Sequence, residues 1–133
     1  MGCEEQLSLI YGPVSGRSFG SASFTNEGST GWQQGPLCES VPVIADTTYV
    51  ASYFTPSGLY ATDSGNFKSG SVDAPPLPAL GNGVDGQNGV YSYGSSRLFP
   101  TSSFGAGNYW VDAIYLPTTT YTIAGTRTNR SRW

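Results

Sequence analysis

No stretch of this chain carries apolar residues at the i, i+3, i+4, i+7 spacing of an amphipathic helix for the ten or so residues a helix needs without a Gly or Pro interrupting it. Eighteen glycines and nine prolines are spread through 133 residues. The period that survives between them is two, which is the period of a strand. Leu7 to Tyr11 is a short apolar run closed by Gly12-Pro13, and Ser18 to Thr25 alternates small polar residues with Gly20, Ala22 and Phe24. Turn residues from Asn26 to Gly31 precede Trp32-Gln33-Gln34, which is expected to open another strand. Thr47 to Thr55 is the strongest strand: Tyr49, Ala51 and Tyr53 share one face and Val50, Ser52 and Phe54 the other. Both faces are largely apolar, which predicts a central strand covered on both sides. Leu59 to Thr62, Val90 to Tyr93 and Asn108 to Leu116 complete the set. Short strands separated by turn signals, with no helices between them, predict an all-β fold, an antiparallel β-sandwich of jelly-roll or immunoglobulin-like type. The expected division is one sandwich domain over residues 1–116 and a flexible tail, containing Thr and Arg, over residues 117–133.

Absent residue types exclude several chemistries. There is no His, so a Ser-His-Asp or Cys-His nucleophile system, a histidine zinc pair and a histidine general base are all ruled out. Cys3 and Cys38 are too few for a four-thiolate metal site within one chain. They either pair with each other, which would stabilise the fold by about 3–4 kcal/mol on a chain-entropy argument, or remain two thiols. No cofactor is expected.

Net charge is −3, but three of the six basic groups sit in the tail at Arg127, Arg130 and Arg132, leaving nine acidic against three basic groups in residues 1–126. An acidic body repels a phosphate backbone, so no nucleic-acid partner is expected. No segment approaches the roughly 20 apolar residues of a membrane span, so no membrane insertion is expected either. Met1 to Gln6 has neither the basic and apolar regions of a signal peptide nor the Ser or Thr of a myristoylation signal. Few Lys and many Thr, Ser, Gly, Asn and Tyr match the composition of secreted β domains, which makes an extracellular or cell-surface location the expectation.

Residues 63–89 form a long segment rich in Gly, Pro and Asn, and a compact domain tolerates such a loop when it is functional or internally packed. Within it, Asn82, Asp85 and Asn88 could present oxygens to Ca²⁺, although Asn-Gly and Asp-Gly pairs also serve simply as turn formers. Aromatic rings can stack on sugar rings. Tyr60, Tyr91, Tyr93, Trp32 and Trp110 are the candidates, with Asp63, Asn88 and Asn108 as polar partners, and Tyr91 and Tyr93 are the favoured members because they follow the long loop. Asp112 is expected on a buried strand face beside Trp110 and Ile114, as a structural acceptor. Asp63 with Asp73 or Asp85 could be imagined as an acid/base pair, though nine carboxylates permit many such pairings. Asn129-Arg130-Ser131 is a glycosylation sequon.

Four segments, in this order and spacing, resemble the family of domains of unknown function designated DUF4082: Gly31-Trp32-Gln33-Gln34; Asp46 to Tyr53; Leu80 to Gly94; and Phe99 to Phe104 running on to Asn108-Tyr109-Trp110-Val111-Asp112. The resemblance spans about residues 7–116. It implies a β-sandwich accessory domain of secreted, multidomain bacterial proteins. Such domains begin with one or two further strands ahead of the segment matching Leu7 to Tyr11, so this chain is expected to be an N-terminally incomplete sandwich, and the tail after Leu116 matches nothing in the family. A missing strand leaves an edge that invites strand addition.

Together these readings predict a non-enzymatic binding or adhesion module that contacts carbohydrate through Tyr60, Tyr91, Tyr93, Asp85, Asn88 and Asn108. The alternative is a structural module that assembles with itself or neighbouring domains through an open sheet edge. A third is a carboxylate-based hydrolase.

Overall fold

The structure, a computed structural model, describes residues 7–11 and 16–118, the first of these segments by its backbone alone. The described residues contain no helix and five strands: β1 (Leu7–Tyr11), β2 (Ser18–Ser23), β3 (Val50–Tyr53), β4 (Val90–Tyr91) and β5 (Ser102–Ser103). The described part of the chain is therefore all-β, as its period-2 pattern predicts. The predicted tail, Arg127, Arg130, Arg132, the Asn129 sequon and Cys3 all lie outside the described residues, apart from the first two tail residues, Pro117 and Thr118.

β1, β2 and β3 form one antiparallel sheet in the order β2-β1-β3. Leu9 faces Ser21 on one side and Ser52 on the other, and a bulge between Ile10 and Tyr11 ends the regular pairing with β2. The strand expected at the centre, Thr47 to Thr55, is shorter than its pattern and lies at the end of this order, with all four residues of Val50–Tyr53 half-buried. Leu7–Tyr11 takes the centre instead. Local alternation reports which faces of a strand are apolar; which strand collects two partners depends on pairings remote in sequence.

Residues 37 and 38 run along the other side of β2. Ala22 bridges Leu37, the Cys38 N–H donates to the Ser21 carbonyl at 2.9 Å, and Ala22 is only 2% exposed. A Cβ on Gly20 would collide with a Val41 methyl, so this glycine is what lets the segment cross so closely. Cys38 is disulfide-bonded.

The second sheet pairs β4 with β5, Val90 opposite Ser103 and Tyr91 opposite Ser102. The connection between them is cinched by Ser92, whose hydroxyl donates to the Phe99 carbonyl at 3.2 Å and accepts from the Thr101 N–H at 3.1 Å.

Residues 63–108 are organised by backbone contacts. Asp63 and Asn108 exchange two hydrogen bonds, at 3.0 and 2.9 Å. The N–H groups of Gly65 and Phe67 then donate to the carbonyls of Gly105 and Ala106, and Phe67 in turn accepts from Asn82 at 3.0 Å. Each such bond contributes about 0.5–1.5 kcal/mol net. They enclose Phe67 and Ala106, which with Ala22 are the buried apolar residues among those described. Gly89 lies directly against the backbone of Gly107, and Gly81 against that of Gly70. Side chains at these positions would force the paired backbone segments apart. The long loop of residues 63–89 is thus internally packed. It includes a hairpin bridged at Val72 and Ala79 and a cis peptide bond at Pro75-Pro76.

Three expected strands are not formed. Trp32 to Gln34 and Leu59 to Thr62 are irregular, and of Asn108 to Leu116 only Asn108 makes a bridge, to Asp63. In the last case the regular extended backbone is interrupted at Trp110, whose φ of 54° lies in the left-handed region.

Candidate binding site

The Asp63–Asn108 pair determines what meets above it. Antiparallel bridging brings the residues just before Asp63 alongside those just after Asn108, so Tyr60 and Tyr109 come together, with ring centroids 5.6 Å apart and planes at 66°. Tyr91 on β4 and Tyr93 two residues later share one face, as a period of two requires, and their centroids are 5.3 Å apart at 64°. Tyr91 also approaches Tyr109 at 6.5 Å, joining the two pairs. The hydroxyls of Tyr60 and Tyr93 interact electrostatically, as does Tyr53 of β3 with Tyr60 and Tyr109. Five tyrosines from four segments thus form one cluster.

Their environment keeps the phenols protonated. Burial pushes the Tyr53 hydroxyl up, and the backbone hydrogen bond from Ala61 only partly offsets it. The neighbouring phenol of Tyr93, first through charge repulsion, raises Tyr60. Burial, followed by Tyr60, Tyr91 and Tyr93, raises Tyr109. All three shifts move away from neutrality, so Tyr53, Tyr60 and Tyr109 present neutral hydroxyls as hydrogen-bond donors and acceptors. Tyr93 is 79% and Tyr60 50% exposed, while the other three rings are half-buried behind them.

All five line an open cleft of ≈ 1470 Å³ bounded by residues 43–56, which include β3, and residues 76–81, 85–94, 96–101, 107–109 and 111–113. Asp85, Asn88 and Asn108 line it too. Tyr60, Tyr91 and Tyr93, named from the sequence, are therefore brought together, and Asp85, Asn88 and Asn108 lie along the same cleft, whereas Asp63 does not line it.

The two asparagines hold the backbone in place. Asn88 Oδ1 accepts from the Gly89 N–H at 2.7 Å, its Nδ2 donates to the Leu80 carbonyl at 2.5 Å, and its own N–H donates to Asn82 Oδ1 at 3.0 Å. Asn108 Oδ1 accepts from the Trp110 N–H at 2.8 Å. Asn82 Oδ1, one of the oxygens considered for Ca²⁺, is engaged by Asn88, and Gly83 and Gly86 on either side of Asp85 have φ of 89° and 82°, as consecutive turns require. Among the described residues no three His, Cys, Asp or Glu side chains are grouped to hold a metal.

Asp112 departs from expectation. It is exposed, as are Trp110 and Ile114, and its Oδ1 accepts the N–H of the next residue, Ala113, at 2.8 Å. With the strand broken at Trp110 there is no buried face for it to occupy. Trp32 and Trp110 stand apart from the tyrosines as an edge-to-face pair, 6.2 Å between centroids at 80°. The turn carrying Trp32 is held by Gln33, which accepts from the Gly28 N–H at 2.9 Å and donates to the carbonyls of Thr30 and Gly31. Asp63 serves through its backbone, and Asp73 is exposed on the loop.

The sequence reading does not name Tyr53 and Tyr109 as site residues: Tyr53 is expected on a covered strand face, and Tyr109 only as part of the Asn108 to Leu116 strand. The signal was present in Tyr53 sharing its face with Tyr49 and in Tyr109 following the Gly105-Ala106-Gly107 hinge directly.

Residues 6–111 match the family described as Domain of unknown function (DUF4082). No curated protein and no solved structure matches the chain. No helix among the described residues is long and apolar enough to cross a membrane.

Proposed function

The chain belongs to the DUF4082 family, and since that family is defined without an activity, we propose from the residues themselves that this is a non-enzymatic, extracellular carbohydrate-binding module of β-sandwich type. The observation that carries the reading is the cluster of Tyr53, Tyr60, Tyr91, Tyr93 and Tyr109 along one cleft. Ring faces that stack on the C–H face of a sugar, edged by neutral hydroxyls and carboxamides, are the combination a pyranose needs: apolar contact with a few placed polar groups. An extracellular location is supported by the disulfide bond at Cys38, since such bonds persist in oxidising compartments. Two separate antiparallel sheets are the parts from which a sandwich is built.

A glycan array probed with the purified protein tests the reading. The expected result is a coherent set of bound glycans, lost on Tyr60→Ala and Tyr93→Ala. Binding to none, or binding indifferent to both substitutions, overturns it.

A second reading, assembly with another chain through a sheet edge, draws support from the terminal place of β3 in the sheet order among the described residues. It predicts a mass in light scattering that rises with concentration. A monomer at every concentration removes it.

A further inference from the structure

The rings of the cluster are not coplanar. Tyr60 and Tyr109 meet at 66°, Tyr91 and Tyr93 at 64°, and Tyr91 and Tyr109 at 60°. A flat crystalline face can lie flush against only one ring of each of these three pairs, and the other ring of the pair then stands edge-on to it. A single chain that twists from one sugar to the next can present successive faces to rings set at such angles. Resting on the carbohydrate reading above, we infer that the cleft takes an isolated, uncharged glycan chain several sugars long, and not the face of a crystalline polysaccharide.

Size and charge support the two other parts of that statement. At ≈ 1470 Å³ the cleft exceeds the about 300–1,000 Å³ of sites built for one small molecule, so a single sugar would leave most of it wet. Its charged lining is Asp46, Asp85 and Asp112 against Arg97 alone, within a body that carries nine acidic and three basic groups over residues 1–126. A polyuronate would meet like charge both at the cleft and at longer range. Tyr60 is packed edge-on against Tyr109 and Tyr93 against Tyr91, so their rings meet a sugar without two free side chains having to be ordered first.

The test runs the protein through native gels containing hydroxyethylcellulose, arabinoxylan, galactomannan or polygalacturonate, and mixes it with microcrystalline cellulose and with chitin. Retardation by at least one uncharged soluble polymer is expected, with none by polygalacturonate and no depletion by the crystalline solids. Tyr93→Ala should weaken the retardation about tenfold, and Tyr93→Phe, which keeps the ring, by no more than about twofold. Tyr93 is largely exposed, and near-UV circular dichroism of both variants checks that they are folded. Retention by cellulose or chitin alone, or by polygalacturonate alone, overturns the inference while the carbohydrate reading stands. Retention by nothing overturns both.

Discussion

The backbone N–H of Trp110 donates to Oδ1 of Asn108 at 2.8 Å, and this bond accompanies a φ of 54° at Trp110, a conformation bulky side chains rarely adopt. Its effect is to divide neighbours: Tyr109 lines the cleft, and Trp110 turns away to meet Trp32. Removing the acceptor with Asn108→Ala should cost about 1 kcal/mol in urea denaturation, whereas Asn108→Asp, which retains an oxygen there, should stay within about 0.5 kcal/mol of the parent. Equal losses for the two would show that the carboxamide oxygen is not what supports the turn.

Glycines of the long loop separate into two kinds. A Cβ on Gly89 would overlap the backbone of Gly107, with the Gly107 nitrogen at 2.6 Å, and φ there is 69°. One on Gly83 would meet nothing within 4 Å, so only its φ of 89° opposes a side chain. Gly89→Ala should therefore cost about 3 kcal/mol or more, combining overlap and backbone strain, and Gly83→Ala only about 1 kcal/mol. Thermal or urea unfolding of the two variants measures the difference, and similar values would mean that the Gly89–Gly107 approach relaxes freely.

Alkaline titration reads the tyrosine cluster directly. Tyr53, Tyr60 and Tyr109 are each held above the ordinary tyrosine value of about 10. A folded-state pKa above the unfolded one means that the folded chain holds its proton longer. The associated stability is complete below about pH 10 and is lost as the pH rises through the raised values. Tyrosinate absorbance should show a late-titrating subset, and Tyr93→Phe should bring Tyr60 back toward its ordinary value, because Tyr93 is the leading cause of its shift. Uniform titration of all the phenols near about 10 would contradict the cluster.

Cys38 is disulfide-bonded beside β2, where its N–H pairs with Ser21. Cys38→Ser, or reduction of the wild type, should lower stability by about 2–4 kcal/mol and by similar amounts. Free thiols found by alkylation and mass spectrometry in oxidised protein would exclude the bond.

The alternation of Ser18 to Thr25 translated directly into β2, because a strand with a small-residue face needs only a partner to lie against. The alternation of Asn108 to Leu116 was just as regular and produced one bridge. A period of two specifies what a strand would look like if it formed, and here the extended backbone is interrupted at a left-handed residue, Trp110. The Gly89–Gly107 and Gly81–Gly70 approaches were invisible for a related reason: a glycine in a sequence signals a turn, and whether another backbone passes over it depends on residues far along the chain. The site was partly legible. Tyr91 and Tyr93 advertised themselves by following a polar loop, while Tyr53 was hidden in a strand pattern that promised cover on both faces and Tyr109 in one that promised a regular strand.

The edge-to-face indoles of Trp32 and Trp110 give the molecule an optical gauge of its own. Chromophores 6.2 Å apart at 80° couple their transitions, so part of the near-ultraviolet circular dichroism belongs to the pair and vanishes when they separate. One indole rides on the turn that Gln33 holds, and the other is one peptide bond from Tyr109 in the cleft. Movement of that cleft wall on occupancy would therefore register as a change of spectral shape, with no label attached.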